Sequence, residues 1–271
     1  MTTESFAIDY KKMFDLTGRV VLVVGGGSGI GRAACLGVVA AGAACVVADI
    51  DAPGAQETLR QIDAAGGSAV ALEADVRSTP SVDAMVERAW GWRGHVDALI
   101  ATPARNLRKR LLDYTDAEFD QVIDLNLKGT FRVARAVGTR MKAQGRGAMV
   151  LMSSMRAYSV EPGQSIYAST KAGIGQMAKG LATELAPHGV RVNAIAPGII
   201  DTPLTAPIVG NPGWNQAYAS RTALKRWAHV SEMAGPLVFL VSDAASYITA
   251  TVIHADAGWT AIDGRYDPPV A

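Results

Sequence analysis

Tyr167 and Lys171 stand four residues apart in SIYASTKAG, and on a helix that step puts both side chains on one face. The Lys171 ammonium then lies beside the Tyr167 hydroxyl. A phenol ordinarily titrates near pH ~10, and a fixed cation next to it stabilises the phenolate and lowers that value. Such a tyrosine can exchange a proton with a substrate hydroxyl near neutral pH. Upstream, the string VVGGGSGIG places Gly25, Gly29 and Gly31 directly after an apolar run. Glycines between a strand and a helix permit a tight turn, let the backbone approach a diphosphate, and aim a helix N-terminus at its charge. The two strings together point to proton exchange coupled to hydride transfer with a nicotinamide held by the turn.

The elements that must position these groups follow from the apolar pattern. Short β-branched runs alternate with longer helical patterns, which predicts an α/β fold, a doubly wound (Rossmann) parallel sheet with helices on both faces. Strands are expected over Arg19–Val24, Ala44–Asp49, Ala69–Glu73, Asp97–Ala101, Ala148–Met152, Val190–Ile195 and Val252–Ala255. Helices are expected over Gly29–Ala41, from Pro53 to about Ala65, and over Ser78–Trp92, Ala117–Ala143, Ile166–Ala186 and Ser231–Val241. Residues 199–230, rich in Pro, Gly and Trp, are too irregular for a simple connection and read as a lid over a site. No composition shift marks a second core, so residues 1–271 are expected to form one domain.

Asp49 ends the second strand, 24 residues after Gly25. A carboxylate there can accept hydrogen bonds from an adenosine ribose and would repel a 2′-phosphate, and no basic residue stands at Ser28 or Ile50 to offset it. NAD is therefore the expected cofactor. The competing reading of Asp49 is a turn cap shared with Asp51.

Composition narrows the partners. Of 271 residues, 49% are hydrophobic, and 26 Lys and Arg against 25 Asp and Glu leave a formal charge of +1. Without a basic or acidic block there is no footprint for nucleic acid or an anionic membrane, so small molecules and further copies of the chain are the expected partners. Cys35 and Cys45 lie in apolar surroundings without a CxxC and read as buried thiols, and the four histidines lack metal-ligand spacing. The polar start, MTTESFAIDYKKMF, does not have the order of a signal peptide, and Ala33–Ala48 is too short and glycine-broken to span a bilayer. A soluble cytoplasmic protein is expected.

At this point the chain resembles the short-chain dehydrogenase/reductase family, over roughly residues 16 to 262. The family's Thr-Gly-x-x-x-Gly-x-Gly turn appears as Val24 to Gly31, with Val24 in place of the threonine. The resemblance implies that Gly25, Ser28, Gly29, Ile30, Gly31, Asp49 and Ile50 hold the diphosphate and adenosine, and that Asp75 and Val76 touch adenine. It carries the nicotinamide carboxamide to the segment NAIAPG, with Pro197, Gly198, Ile200 and Thr202. It also implies a catalytic set of Asn126, Ser154, Tyr167 and Lys171. Tyr167 would take the hydroxyl proton while Ser154 holds the substrate oxygen. Lys171 would contact the nicotinamide ribose, and Asn126 would place a relay water. Two departures stand out: Ala101-Thr102-Pro103-Ala104 replaces Asn-Asn-Ala-Gly, and Asp256-Ala257-Gly258 replaces Asp-Gly-Gly. A homo-tetramer is implied, with the two long helices at one interface and the tail Trp259–Ala271 reaching a neighbouring subunit.

The expected reaction is hydride transfer between NAD and a secondary alcohol or ketone. The resemblance implies a substrate pocket lined by the loop after the fourth strand, the segment after Ser154 and the lid; here these carry Arg105 and Asn106, Arg156, and Trp214 and Trp227. Two guanidiniums in one cleft suit a polyol, sugar-derived or hydroxy-acid substrate. Against this, RNLRKR reads as a solvated basic loop, with Arg156 paired to Glu161. An NADPH-dependent reductase of oxoacyl thioesters and a non-catalytic dinucleotide sensor are the alternatives in other functional classes.

Overall fold

A computed structural model describes residues 9–263 of the chain. Seven parallel strands form one sheet in the order β3-β2-β1-β4-β5-β6-β7. They are β1 (Val20–Val24), β2 (Ala44–Asp49), β3 (Ser68–Glu73), β4 (Ala98–Ala101), β5 (Gly147–Met152), β6 (Val190–Pro197) and β7 (Val252–Ala255). The order reverses between β1 and β4, and at such a switch point the connections leave to opposite faces and open a crevice beyond the strand ends.

The central strands are apolar on both sides because both faces are covered. In β1, Val20, Leu22 and Val24 join one core, while Val21 and Val23 join the other. The first core is completed by α3 (Thr79–Arg93), α5 (Gly129–Gln144) and α6 (Ser165–Leu185); the second by α1 (Gly29–Ala40), α2 (Ala52–Ala64) and α9 (Ala234–Val241). Burying one side chain of the size of Leu99 or Ile100 stabilises by about 1.5–3 kcal/mol.

Three elements depart from the sequence expectation. The helix expected over Ala117–Ala143 is divided into α4 (Asp116–Ile123), a π turn over Asp124–Lys128, and α5. Thr115 and Glu118 form a capping box at its start. The π turn inserts a residue into the helical ladder at Asn126, whose carbonyl accepts the Thr130 hydroxyl at 2.6 Å. The segment 199–230 contains two short helices, α7 (Ala206–Val209) and α8 (Pro212–Arg221); Asn211 caps α8 by accepting from the Trp214 N–H at 3.0 Å. The helix expected from Ser231 begins as a 3-10 turn over Val230–Met233 and becomes α-helical only at Ala234.

Among the described residues no helix is long and apolar enough to cross a membrane. Of the tail expected to reach a neighbouring subunit, residues 264–271, with Pro268 and Pro269, lie outside the described residues. Trp259 is buried, its ring 5.5 Å from that of Tyr218.

Candidate active site

Where β1 and β4 part, a cleft of about 420 Å³ opens, and Gly25, Ser28, Gly29, Ile30 and Gly31 form one wall. Asp49 and Ile50 at the end of β2, Asp75 and Val76 beyond β3, and Thr202 beyond β6 line the rest with Thr102 and Met152. Gly25 has φ +84°, in the left-handed region. A Cβ on Gly31 would stand 1.9 Å from the Gly25 carbonyl oxygen, so this position admits only glycine. Ser28 begins α1 without a side-chain cap bond, which leaves first-turn N–H groups free to donate to an anion. A glycine cradle of this depth, closed by helix donors at one end, fits the diphosphate of a dinucleotide.

Asp49 accepts from the Gly27 N–H at 2.8 Å and from the Asp51 N–H at 2.9 Å. The turn with Asp51 and a place on the cleft wall thus belong to the same carboxylate. Asp75 is gripped by Arg77 at 2.9 and 3.0 Å, and those bonds hold its carboxyl below the usual range. The Thr102 hydroxyl donates to the carbonyls of Val24 at 3.0 Å and Gly25 at 3.2 Å, which fastens the unusual Ala-Thr-Pro-Ala loop to the glycine turn. Pro197 ends β6 beside β7 and Gly198 follows it, where a Cβ would meet the Asp256 Cα at 2.6 Å. Ile200 faces a separate cavity of about 150 Å³.

Four polar side chains are buried where β5, α6 and the π turn meet: Asn126, Ser154, Tyr167 and Lys171. The Lys171 Nζ donates to the Met152 carbonyl at 2.8 Å and lies 5.6 Å from the centre of the Tyr167 ring. Burial pushes this ammonium down to about 7. Burial also pushes the Tyr167 phenol above its ordinary value, and the groups that oppose this are Ser154, by hydrogen bond, then the charges of Arg156 and Arg108. In the free chain the opposing groups are thus Ser154, Arg156 and Arg108, while the Lys171 Nζ is turned to the Met152 carbonyl. Asn126 is committed on both ends of its amide. Its Oδ1 accepts from the Arg105 N–H at 2.8 Å, while its Nδ2 donates to the Arg105 carbonyl at 2.9 Å and to the Thr170 hydroxyl at 3.1 Å.

Beside this group lies a polar cluster drawn from the loop after β4, the segment after Ser154 and α8. Arg156 donates to the Tyr218 hydroxyl at 2.9 Å and pairs with Glu161 at 2.9 Å; Arg108 donates to the same hydroxyl at 3.1 Å and pairs with Glu161 at 2.5 Å. Burial raises the Glu161 carboxyl, but hydrogen bonds from Tyr218 and Arg108, the Arg156 charge and Gln164 together bring it below its ordinary value. Arg108 also lies 4.8 Å from the centre of the Trp214 ring, and Trp227 stacks on Tyr218 at 5.8 Å. The expected pairing of Arg156 with Glu161 is present, with Arg156 buried and Glu161 half-buried. Arg105 does not converge with Arg156: its residue is exposed and its guanidinium has no hydrogen bond or ion pair among the described residues. Arg108 takes that place.

Comparison with known proteins decides the family. A family model described as "Enoyl-(Acyl carrier protein) reductase" matches residues 24–260. The chain is 31% identical to the 2-dehydro-3-deoxy-D-gluconate 5-dehydrogenase of Escherichia coli, over 92% of this chain and 98% of that one. The chain belongs to the short-chain dehydrogenase/reductase family. This member is also 36% identical to the cis-4-hydroxycyclohexanecarboxylate dehydrogenase of Sinomonas cyclohexanicum, over 90% of this chain and 97% of the relative. The crystal structure of a gluconate 5-dehydrogenase from Burkholderia cenocepacia, in complex with NADP and tartrate, superimposes with a TM-score of 0.89 at 29% identity, covering 93% of this chain and 98% of that one. The protein is an oxidoreductase using a nicotinamide dinucleotide.

Sequence reasoning placed the glycine turn, Asp49 and the Asn126, Ser154, Tyr167 and Lys171 positions in this short-chain dehydrogenase/reductase. It passed over Arg108, Gln164 and Tyr218. Gln164 sits three residues before Tyr167, one helical turn away, and that spacing was the available signal. Tyr218 carried none, since α8 lies in a segment without a periodic pattern.

Proposed function

We propose that this chain is an NAD-dependent dehydrogenase of a secondary alcohol in the polyol, sugar-derived or hydroxy-acid class. The observation that carries the reading is the buried set of Asn126, Ser154, Tyr167 and Lys171, with two guanidiniums, Arg108 and Arg156, held beside it by a single carboxylate, Glu161. The excess positive charge beside the phenol favours an anionic or strongly polar substrate. The tartrate in the Burkholderia cenocepacia structure and the hydroxy acid named for the Sinomonas cyclohexanicum relative support the same class. NAD is favoured because Asp49 carries the only charge at the end of β2 on the cleft wall, with Ser28 and Ile50 uncharged beside it.

In this reading Tyr167 Oη takes the hydroxyl proton and Ser154 Oγ holds the substrate oxygen. The bound nicotinamide supplies the hydride acceptor. Lys171 orients the nicotinamide ribose, and Asn126 keeps the loop after β4 in register through Arg105. Residues 199–230 act as the lid, with Tyr218 reaching across to Arg108 and Arg156. Assembly as a homo-tetramer along α4, α5 and α6 is supported by the exposed rings of Phe119 and Phe131 on the first two, and a single-subunit mass by light scattering at micromolar concentration would remove it.

The test is the absorbance change of NAD or NADP with a panel of polyols, hydroxy acids, apolar alcohols and an acetoacetyl thioester. NAD should exceed NADP at least about tenfold in kcat/KM, and Asp49→Ala should erase that margin. Equal use of both cofactors sinks the cofactor assignment; turnover confined to NADPH and the thioester sinks the substrate assignment.

A further inference from the structure

Three glycines follow one another at the cleft, Gly25, Gly26 and Gly27, and glycine gives the backbone its widest freedom. A turn of that composition keeps one shape only where something fastens it. Each of its three carbonyls is caught by a side chain from a different element. The Thr102 hydroxyl, after β4, donates to the Gly25 carbonyl at 3.2 Å; the Thr58 hydroxyl, in α2, donates to the Gly26 carbonyl at 2.8 Å; and the Arg32 Nη2, in α1, donates to the Gly27 carbonyl. Thr58 is fully buried, and its oxygen accepts from the Arg32 Nε at 2.9 Å, so one guanidinium serves two of the three carbonyls.

A trans peptide is planar, with its C=O and N–H pointing in opposite directions, so fastening a carbonyl aims the N–H of the next residue. The Gly26 N–H, which shares a peptide with the Gly25 carbonyl, donates to the Ala48 carbonyl at 3.1 Å, and the Gly27 N–H donates to Asp49 at 2.8 Å. Those two peptides are tied at both ends. The third is tied through its carbonyl alone: the Ser28 N–H donates to no group among the described residues, and Ser28 lies on the cleft wall.

We propose that Arg32 is a positioning residue for the diphosphate of the cofactor, its guanidinium fixing the Gly27 carbonyl so that the Ser28 N–H is presented to the cleft. Arg32 acts through the backbone and does not have to touch the ligand. Without it the triglycine turn is ordered only at the moment of binding, and the entropy of that ordering is subtracted from affinity. The inference rests on the cleft holding a dinucleotide and is indifferent to the choice between NAD and NADP, since both carry the diphosphate.

Dissociation constants of ADP and adenosine for the full-length apoprotein, measured by ligand-observed NMR, separate the diphosphate cradle from the adenosine pocket. Arg32→Met keeps an apolar stem and removes every donor. It should weaken ADP about tenfold to a hundredfold while adenosine stays within about twofold. Arg32→Lys, which restores one charged donor, should recover part of the ADP affinity. Thr58→Val keeps the shape and removes the relay hydroxyl, so it should give the same split at about threefold to tenfold, and it decides the matter if Arg32→Met does not fold. A purely structural role would weaken both ligands together. Parallel losses, or an unchanged ADP affinity in these variants, overturn the inference. A wild-type protein that binds neither ligand overturns the dinucleotide reading of the cleft and the inference with it, so the two failures are told apart.

Discussion

Lys171 offers the sharpest quantitative test, because an ammonium this deeply buried must leave a mark on stability. Its pKa falls from an ordinary 10.5 to about 7 in the fold, and burial is the cause. Between those values the unfolded chain binds a proton that the folded apoprotein does not, so stability rises with pH across this window. The cost of the buried charge is fully present below pH ~7 and is gone above pH ~10.5, with a ceiling of about 5 kcal/mol at roughly 1.4 kcal/mol for each pH unit. From pH ~7.5 to pH ~9 the wild type should therefore gain about 2 kcal/mol relative to Lys171→Met, which keeps the apolar stem and removes the charge. Loss of the bond to the Met152 carbonyl displaces the variant's curve by a constant, about 1–3 kcal/mol, and does not change its slope. Urea midpoints of the apoprotein at three pH values give both quantities, since all other titrating groups are shared. Parallel curves for the two proteins would refute the reasoning: Lys171 would then be neutral, or solvated, throughout.

Tyr167→Phe should fold and bind NAD normally yet lose about 10²–10⁴-fold in kcat, because only the proton-carrying oxygen is gone; near-normal turnover would assign the proton to another group. Arg156→Gln should move the acid limb of the oxidation pH profile upward, since the Arg156 charge opposes the rise of the Tyr167 pKa, and should raise KM for a carboxylate substrate more than for a neutral alcohol. A limb that stays in place contradicts the electrostatic role. Ala257 occupies the left-handed region at φ +53°, so Ala257→Gly should stabilise by about 0.5–1 kcal/mol after the entropy cost of glycine is offset; an unchanged or lower Tm argues that the strain is relieved in another way.

The strands were readable because their causes are local. Each parallel strand is buried on both faces, so each appears as a compact β-branched run, and the glycine turn tells where the first crossover begins. The break in the helix over Ala117–Ala143 was not readable. A π turn leaves the apolar spacing almost unchanged on either side, and its stabilising contact, the Thr130 hydroxyl on the Asn126 carbonyl, resembles any solvent-facing threonine in sequence. The irregular composition of 199–230 likewise concealed α8, whose start depends on one Asn211 cap and a proline rather than on an apolar stripe.

The site divides along the same line. Glycine turn, Asp49 and the Tyr167–Lys171 step have short-range spacing, and their geometry is dictated by one turn or one helix. The guanidinium that joins Arg156 is a different matter. Arg105 and Arg108 are indistinguishable in the string RNLRKR until Asn126 seizes the Arg105 backbone and turns its side chain out, which leaves Arg108 to meet Glu161 and Tyr218. The selection is made by residues 21 and more than 50 positions away. It has a functional consequence, because Arg108 and Arg156 are the two charges that pull the Tyr167 phenol down against its burial. Burial raises the phenol, Ser154 opposes it first, and the charges from the turn after Ser154 and the loop after β4 add to that opposition. Under the proposed reaction these are the same segments that would touch the substrate, so a change there would alter the choice of alcohol and the pKa of the phenol together.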